Sequence, residues 1–212
     1  VDLDPQGNAT MGSGIDKRRL TRSVYEVLIG SCGARAATVR SESGGYDLLP
    51  ANRELAGAEV ELVEFDDRET RLKQALAEAD DGYDFVLIDC PPSLSLLTIN
   101  GLCCAHGVII PMQCEYFALE GLTDLVNTIK RVHANLNPEL RIIGLLRVMF
   151  DPRMTLQQQV SEQLVAKFGG PELAEDSSKK ELKTFDEAKQ AGRDALDALQ
   201  MANMVVQTFP AR

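Results

Sequence analysis

The sequence predicts an α/β fold, a mostly parallel sheet flanked by helices, and three observations point to it. Short apolar runs rich in β-branched residues recur along the chain, segments with helical periodicity separate them, and the runs end abruptly at an acid or a proline. Strand, helix, strand, helix is the repeat of a sheet whose strands run the same way, because parallel neighbours need a crossover between them.

The chain opens on Val1-Asp2-Leu3-Asp4-Pro5-Gln6, which reads as the end of a buried strand passing into a loop. A strand that would precede it is therefore expected to be missing from these residues. The first long helical pattern covers residues 71–79. Phe85-Val86-Leu87-Ile88 is the clearest strand, ending in Asp89-Cys90-Pro91-Pro92, and a helix over 94–105 follows. Gly107-Val108-Ile109-Ile110 is a second strand, stopping at Pro111. In the next helix, 119–135, Leu122, Leu125, Val126, Ile129 and Val132 form the apolar stripe that faces a sheet. A third strand over 141–148 gives way to the polar Asp151-Pro152-Arg153, and a helix over 156–168 follows. The connections 41–45 and 79–82 join units without marking a boundary. Beyond Gly169-Gly170-Pro171 the character changes. Residues 172–183 are a mixed-charge run expected to be solvated, and 186–206 carry an Ala-rich helical pattern with no strand in it. The chain thus divides into one α/β domain, 1–170, and a divergent helical or poorly ordered tail, 171–212.

Composition narrows the function. With a net charge of −10 and a pI near 4.7, a generally basic nucleic-acid surface is disfavoured. No apolar stretch approaches the roughly 20 residues that span a bilayer, so the chain reads as cytoplasmic, with no membrane partner. The five cysteines form no C-x-x-C pair, which favours reduced packing thiols over a disulfide framework or a zinc site. His106 and His133 have no second ligand at metal spacing.

In open α/β sheets ligands bind beyond the carboxyl ends of the strands. Polar residues just after the apolar runs are therefore the candidates. Val86-Leu87-Ile88-Asp89 has the form of a Walker B motif, a carboxylate at a strand end that holds Mg²⁺ beside nucleotide phosphates; the same pattern also serves a carboxylate that caps the next loop. Asp2 and Asp4 stand either side of Leu3 as a strand ends, and separate jobs are expected for them. One orients water or meets the metal, and the other is held inside by hydrogen bonds.

Taken together, these stretches resemble the ParA/Soj family of deviant Walker A ATPases, relatives of MinD. The matching segments are 1–10, Leu48-Leu49-Pro50-Ala51-Asn52 with 55–59, Tyr83 through Ser93, Pro111 through Leu122, and Met149-Phe150-Asp151-Pro152-Arg153 with Leu156, Gln159 and Val160. They occur in family order over most of residues 1–169. The resemblance implies a P-loop NTPase-like fold that uses ATP and Mg²⁺ to drive chromosome or plasmid partitioning. It implies that Asp4 helps position the hydrolytic water, that Asp2 supports the metal and phosphate shell, and that Asp89 is the metal carboxylate. Gln113, Glu115 and Glu120 fall in its loop and helix near nucleotide and dimer interface, and Met149, Asp151 and Arg153 near the adenine and partner subunit. It further implies a homodimer, a ParB-type centromere-binding partner and, in the complete family member, nonspecific DNA and nucleoid association.

Two departures qualify these implications. The family's K-G-G-x-G-K-[ST] loop, whose backbone N–H groups and lysines hold phosphate, does not occur in the 212 residues. The family's I-P-R-N-x-R segment and its basic DNA-binding residues have no counterpart after Gly170. Nucleotide turnover and DNA binding are accordingly not expected of these residues alone. A catalytically inactive interaction module of the same fold is the alternative. A MinD-like septum-site regulator is a further one, although 188–206 lack the strongly basic face of a membrane-targeting helix.

Overall fold

The computed structural model describes residues 1–79, 82–114, 118–151, 153–168 and 203–208. Its sheet is built from β3 (Phe85–Cys90), β4 (Gly107–Gln113) and β5 (Arg141–Val148), which share one direction, with β6 (Asn203–Thr208) running against them; the order is β3-β6-β4-β5. On the far side of β3, residues 1–3 add an extended piece in parallel, through a bridge between Asp2 and Asp89. Before the sheet come α1 (Asn8–Gly12), α2 (Val24–Leu28), α3 (Ala34–Ala37), a hairpin of β1 (Val39–Ser41) and β2 (Tyr46–Leu48), α4 (Leu55–Glu61) continued by a 3₁₀ turn (Leu62–Glu64), and α5 (Arg71–Ala77). The crossover helices are α6 (Leu96–Cys104), α7 (Ala118–Asn135) and α8 (Thr155–Phe168).

β3, β4, β5 and the crossover helices fall where the apolar periodicity places them, with ends displaced by up to three residues. α2 starts on a complete capping box, in which Ser23 and Glu26 satisfy each other's backbone groups. The stripe on α7 is buried at Leu122, Val126, Ile129 and Val132 and meets Val108 and Ile110 in a core that also contains Leu3, Ile88, Leu97 and Leu102. Among the described residues, no helix is long and apolar enough to cross a membrane.

Three features differ from expectation. β4 continues through Pro111 to Gln113, because beyond Gly107 its ladder is made with β5 and a residue without an N–H is tolerated on the other side. The connection around residues 41–45 is the turn of the β1–β2 hairpin, with Gly45 at φ 69°. The helical pattern of the tail does not reach Val206: residues 203–208 form β6, paired with every residue of β3 from Phe85 opposite Thr208 to Cys90 opposite Asn203. The rest of the tail, including the charge run 172–183, lies outside the described residues.

One buried amide ties α5 to α6. Asn100 is fully buried; its carbonyl oxygen accepts from Leu72 N (3.1 Å), and its Nδ2 donates to Arg68 O (2.7 Å) and Leu96 O (2.9 Å). Asn100→Leu keeps the branched outline of the side chain but leaves Leu72 N buried without a partner and takes the donor from Arg68 O, at a cost of roughly 2–4 kcal/mol. Urea unfolding should show the midpoint falling with little change in slope.

Candidate functional site

The site is assembled at the carboxyl edge of the sheet, and residues 1–4 place its acids. Leu3 N donates to Asp89 O (2.8 Å) and Asp89 N to Val1 O (2.9 Å), while Asp2 N donates to Leu49 O (3.0 Å). The segment therefore lies between β3 and the residues that follow β2, and it sets Asp2 directly beside Asp89.

Asp2 is completely buried, and both carboxylate oxygens are used. Oδ1 accepts from Asp4 N (3.0 Å); Oδ2 accepts from Thr10 N (2.8 Å) and Thr10 Oγ1 (2.7 Å). Thr10 Oγ1 in turn accepts from Ala51 N (2.9 Å). Burial pushes the Asp2 acid up, and the Thr10 and Asp4 bonds pull against it. Asp4 is half-buried and differs in kind. Its Oδ1 accepts from Gln6 N (2.9 Å), and its carbonyl takes Gly7 N (2.8 Å), which closes a tight turn. Gly7 is required there: its φ is 60°, and a Cβ would lie 2.9 Å from Ala51 O. Residues two apart on an extended segment share a face, so the division of labour between Asp2 and Asp4 comes from burial and hydrogen bonding.

Asp89 is 5% exposed, and its Oδ1 is buried without a hydrogen-bond partner. Burial, then the charges of Asp2 and Asp4, push this acid up to about 7. This buried carboxylate faces two others, against which the amino group of Val1 is a smaller influence, and a hard divalent cation such as Mg²⁺ supplies the balancing charge through oxygen ligands. Among the described residues, no three His, Cys, Asp or Glu side chains gather in metal-holding geometry. The arrangement therefore fits the mode in which Mg²⁺ takes one or two carboxylates and completes its shell with water and phosphate.

The remaining candidates form a second group on the same edge. Gln113, at the end of β4, donates from Nε2 to Met149 Sδ (3.3 Å). Met149 follows β5 at φ 52°, an uncommon conformation for a side-chain-bearing residue, and is 77% exposed. Asp151 and Arg153 pair with each other (2.7 Å) in the turn before α8, which holds the Asp151 carboxyl below its usual range. β6 separates this group from the aspartates by one strand position, so the two groups are not in contact through the sheet. Glu115 lies outside the described residues. Glu120 falls within α7. Thr10 and Ala51, which hold Asp2, were not singled out from the sequence; the signal was a hydroxyl at the start of a short helix, eight residues after the acid it serves.

Asp89 keeps its proton up to about 7 in the folded protein, whereas an unfolded aspartate loses it near 3.8. Between these values the folded state binds the extra proton, so without metal the stability declines as pH rises from about 4 to about 7 and levels off above. Asp89→Asn removes most of that decline; Asp2, shifted in the same direction, retains the rest. Urea midpoints measured across this range report it.

A family model described as AAA domain matches residues 1–142. The sporulation initiation inhibitor protein Soj of Bacillus subtilis is 48% identical over 168 residues, covering 77% of this chain and 65% of that protein. The chromosome partitioning protein ParA of Caulobacter vibrioides is 45% identical over 171 residues, covering 80% of this chain and 64% of that protein. Among solved structures, cobyrinic acid a,c-diamide synthase from Mycobacterium smegmatis, with bound ADP and magnesium, matches with a TM-score of 0.75 at 46% identity, over 79% of this chain and 68% of that one. The chain spans about 64% of the length of the first curated relatives it matches. With a family model matched over residues 1–142 and relatives of this kind at 45–48% identity, the chain belongs to the ParA/Soj family of AAA-domain proteins.

Proposed function

We propose that these residues are the larger part of a partition ATPase, whose full-length polypeptide binds ATP and Mg²⁺, dimerises and segregates a bacterial chromosome or plasmid. The observation that carries this reading is the buried, unpartnered Oδ1 of Asp89 beside Asp2 and Asp4. Bound there, Mg²⁺ would neutralise phosphate charge and polarise the reacting phosphoryl group.

The chain's own residues divide the remaining work. Asp89 offers the free carboxylate oxygen as a metal ligand, direct or through water. Asp2 is a positioning residue: with both oxygens spent on Thr10 and Asp4 N, it fixes the turn from which Asp4 projects. Asp4, half-buried and tied through Oδ1 to Gln6 N, orients the attacking water with Oδ2. Gln113, Glu115, Met149, Asp151 and Arg153 are assigned to the nucleotide's base side and the partner subunit. In the proposed full-length protein a K-G-G-x-G-K-[ST] loop, which these 212 residues do not contain, would supply the phosphate cradle. A homodimer, a ParB-type partner, a cytoplasmic location and nonspecific DNA binding belong to the same proposal for the full-length protein. DNA contact is not assigned to the present residues, which carry a net charge of −10.

Binding of radiolabelled ATP tests the reading. The 212-residue chain should retain none above background, and the chain extended by its phosphate loop should bind in a Mg²⁺-dependent way. Equal behaviour of the two would refute the role given to the loop. In the extended chain, Asp4→Ala should keep nucleotide binding while hydrolysis falls by about 10²-fold or more. Asp89→Asn should weaken binding only when Mg²⁺ is present.

A further inference from the structure

Asp4 can orient water only if the turn that carries it is fixed, and a lysine from a later loop lies on that turn. Asp4 Oδ1 accepts from Gln6 N (2.9 Å), and Asp4 O accepts from Gly7 N (2.8 Å). The next carbonyl, that of Gln6, accepts from Lys17 Nζ. The aliphatic stem of Lys17 crosses the turn closely, since a Cβ on Gly7 would lie 2.9 Å from Lys17 Cδ. Gln6 is exposed, so water would satisfy its carbonyl. Ordering a half-buried lysine over it costs rotamer freedom and gains a fixed turn.

Lys17 is itself held in place. Asp16 O accepts from Arg19 N (3.0 Å) and Asp16 Oδ1 from Arg18 N (3.1 Å), so Lys17 sits in the middle of a side-chain-capped turn. The Arg18 guanidinium pairs with the same Asp16 carboxylate (3.0 Å). Upstream, Ile15 N donates to Thr10 O (3.2 Å), and Ser13 O accepts from Ser41 Oγ (2.7 Å) and Ser43 Oγ (3.2 Å). The segment between α1 and Lys17 is thereby tied both to the residue that holds Asp2 and to the β1–β2 hairpin.

We propose that Lys17 is a positioning residue for Asp4: by holding the Gln6 carbonyl and lying across Gly7, it keeps the turn closed and the Asp4 carboxylate aimed at the attacking water. The proposal rests on the role given above to Asp4.

Lys17→Met keeps the stem over Gly7 and removes the donor. In the 212-residue chain without nucleotide, exchange of the Gln6 and Gly7 amide hydrogens, followed by NMR, should quicken by about fivefold or more, while that of Thr10, bonded to Asp2, stays within about twofold. In the chain extended by its phosphate loop, Lys17→Met should lower kcat for ATP hydrolysis by about tenfold and leave KM within about twofold. Lys17→Arg, which keeps a charged donor, should recover kcat to within about threefold of wild type. Added to Asp4→Ala, Lys17→Met should lower kcat no further, because Lys17 acts through Asp4. The proposal is overturned if the Gln6 and Gly7 amides exchange as in wild type, or if the effects of the two substitutions multiply. It is also overturned if KM rises while kcat holds, since the ammonium would then meet the phosphates directly. Full activity of Lys17→Met beside a loss in Asp4→Ala overturns the proposal alone; undiminished hydrolysis in Asp4→Ala removes the role of Asp4 and the proposal with it.

Discussion

The carboxyl edge of this molecule depends on the parallel contact between residues 1–3 and β3. Two backbone hydrogen bonds across that contact bring Asp2 beside Asp89, and the buried Asp2 carboxylate then draws in Thr10, the turn at Asp4 and Ala51. Three hydrogen-bond donors satisfy the oxygens of Asp2. Its negative charge consequently stays in the interior, where screening is weak, and acts on Asp89. One acid is structural and the other is left wanting a counter-ion. The same hydrogen bonds do both, because the donors that settle Asp2 are those that hold it next to Asp89.

Much of this arrangement was legible in the sequence. Long apolar runs and the α7 stripe fixed element types because their periodicity is a local property. Asp2, Asp4 and Asp89 were found because the ends of strands are where open sheets place ligands. Thr10 escaped, since nothing in the chain between Asp2 and Thr10 says that a helix start folds back onto the acid. The β1–β2 hairpin escaped for another reason: strands of three residues are too short to display a period of two. β6 was read as helix because Val205 and Val206 end an Ala-rich pattern, and a strand's partners more than a hundred residues away leave no trace in its own composition.

The position of β6 is unusual for its direction. Sheets of mixed sense commonly carry their antiparallel strand at an edge, and here it lies inside, between the strand that ends at Asp89 and the one that ends at Gln113. It enters the sheet at the carboxyl edge, with Asn203 opposite Cys90. The two halves of the candidate site are thus held apart by about two strand spacings, roughly 10 Å.

That placement also sets an order of events during synthesis. Phe85 pairs with Thr208, so β3 and β4 leave the ribosome long before the strand that joins them. At about 5–20 residues per second the wait is roughly 6–25 s, far beyond the roughly 0.1–10 μs in which helices and hairpins form. For that interval the nascent chain exposes two hydrogen-bonding strand edges and apolar helix faces, the surfaces by which folding intermediates aggregate. Completion of the fold is therefore timed by translation, and the yield of native protein becomes a contest between the ribosome and self-association.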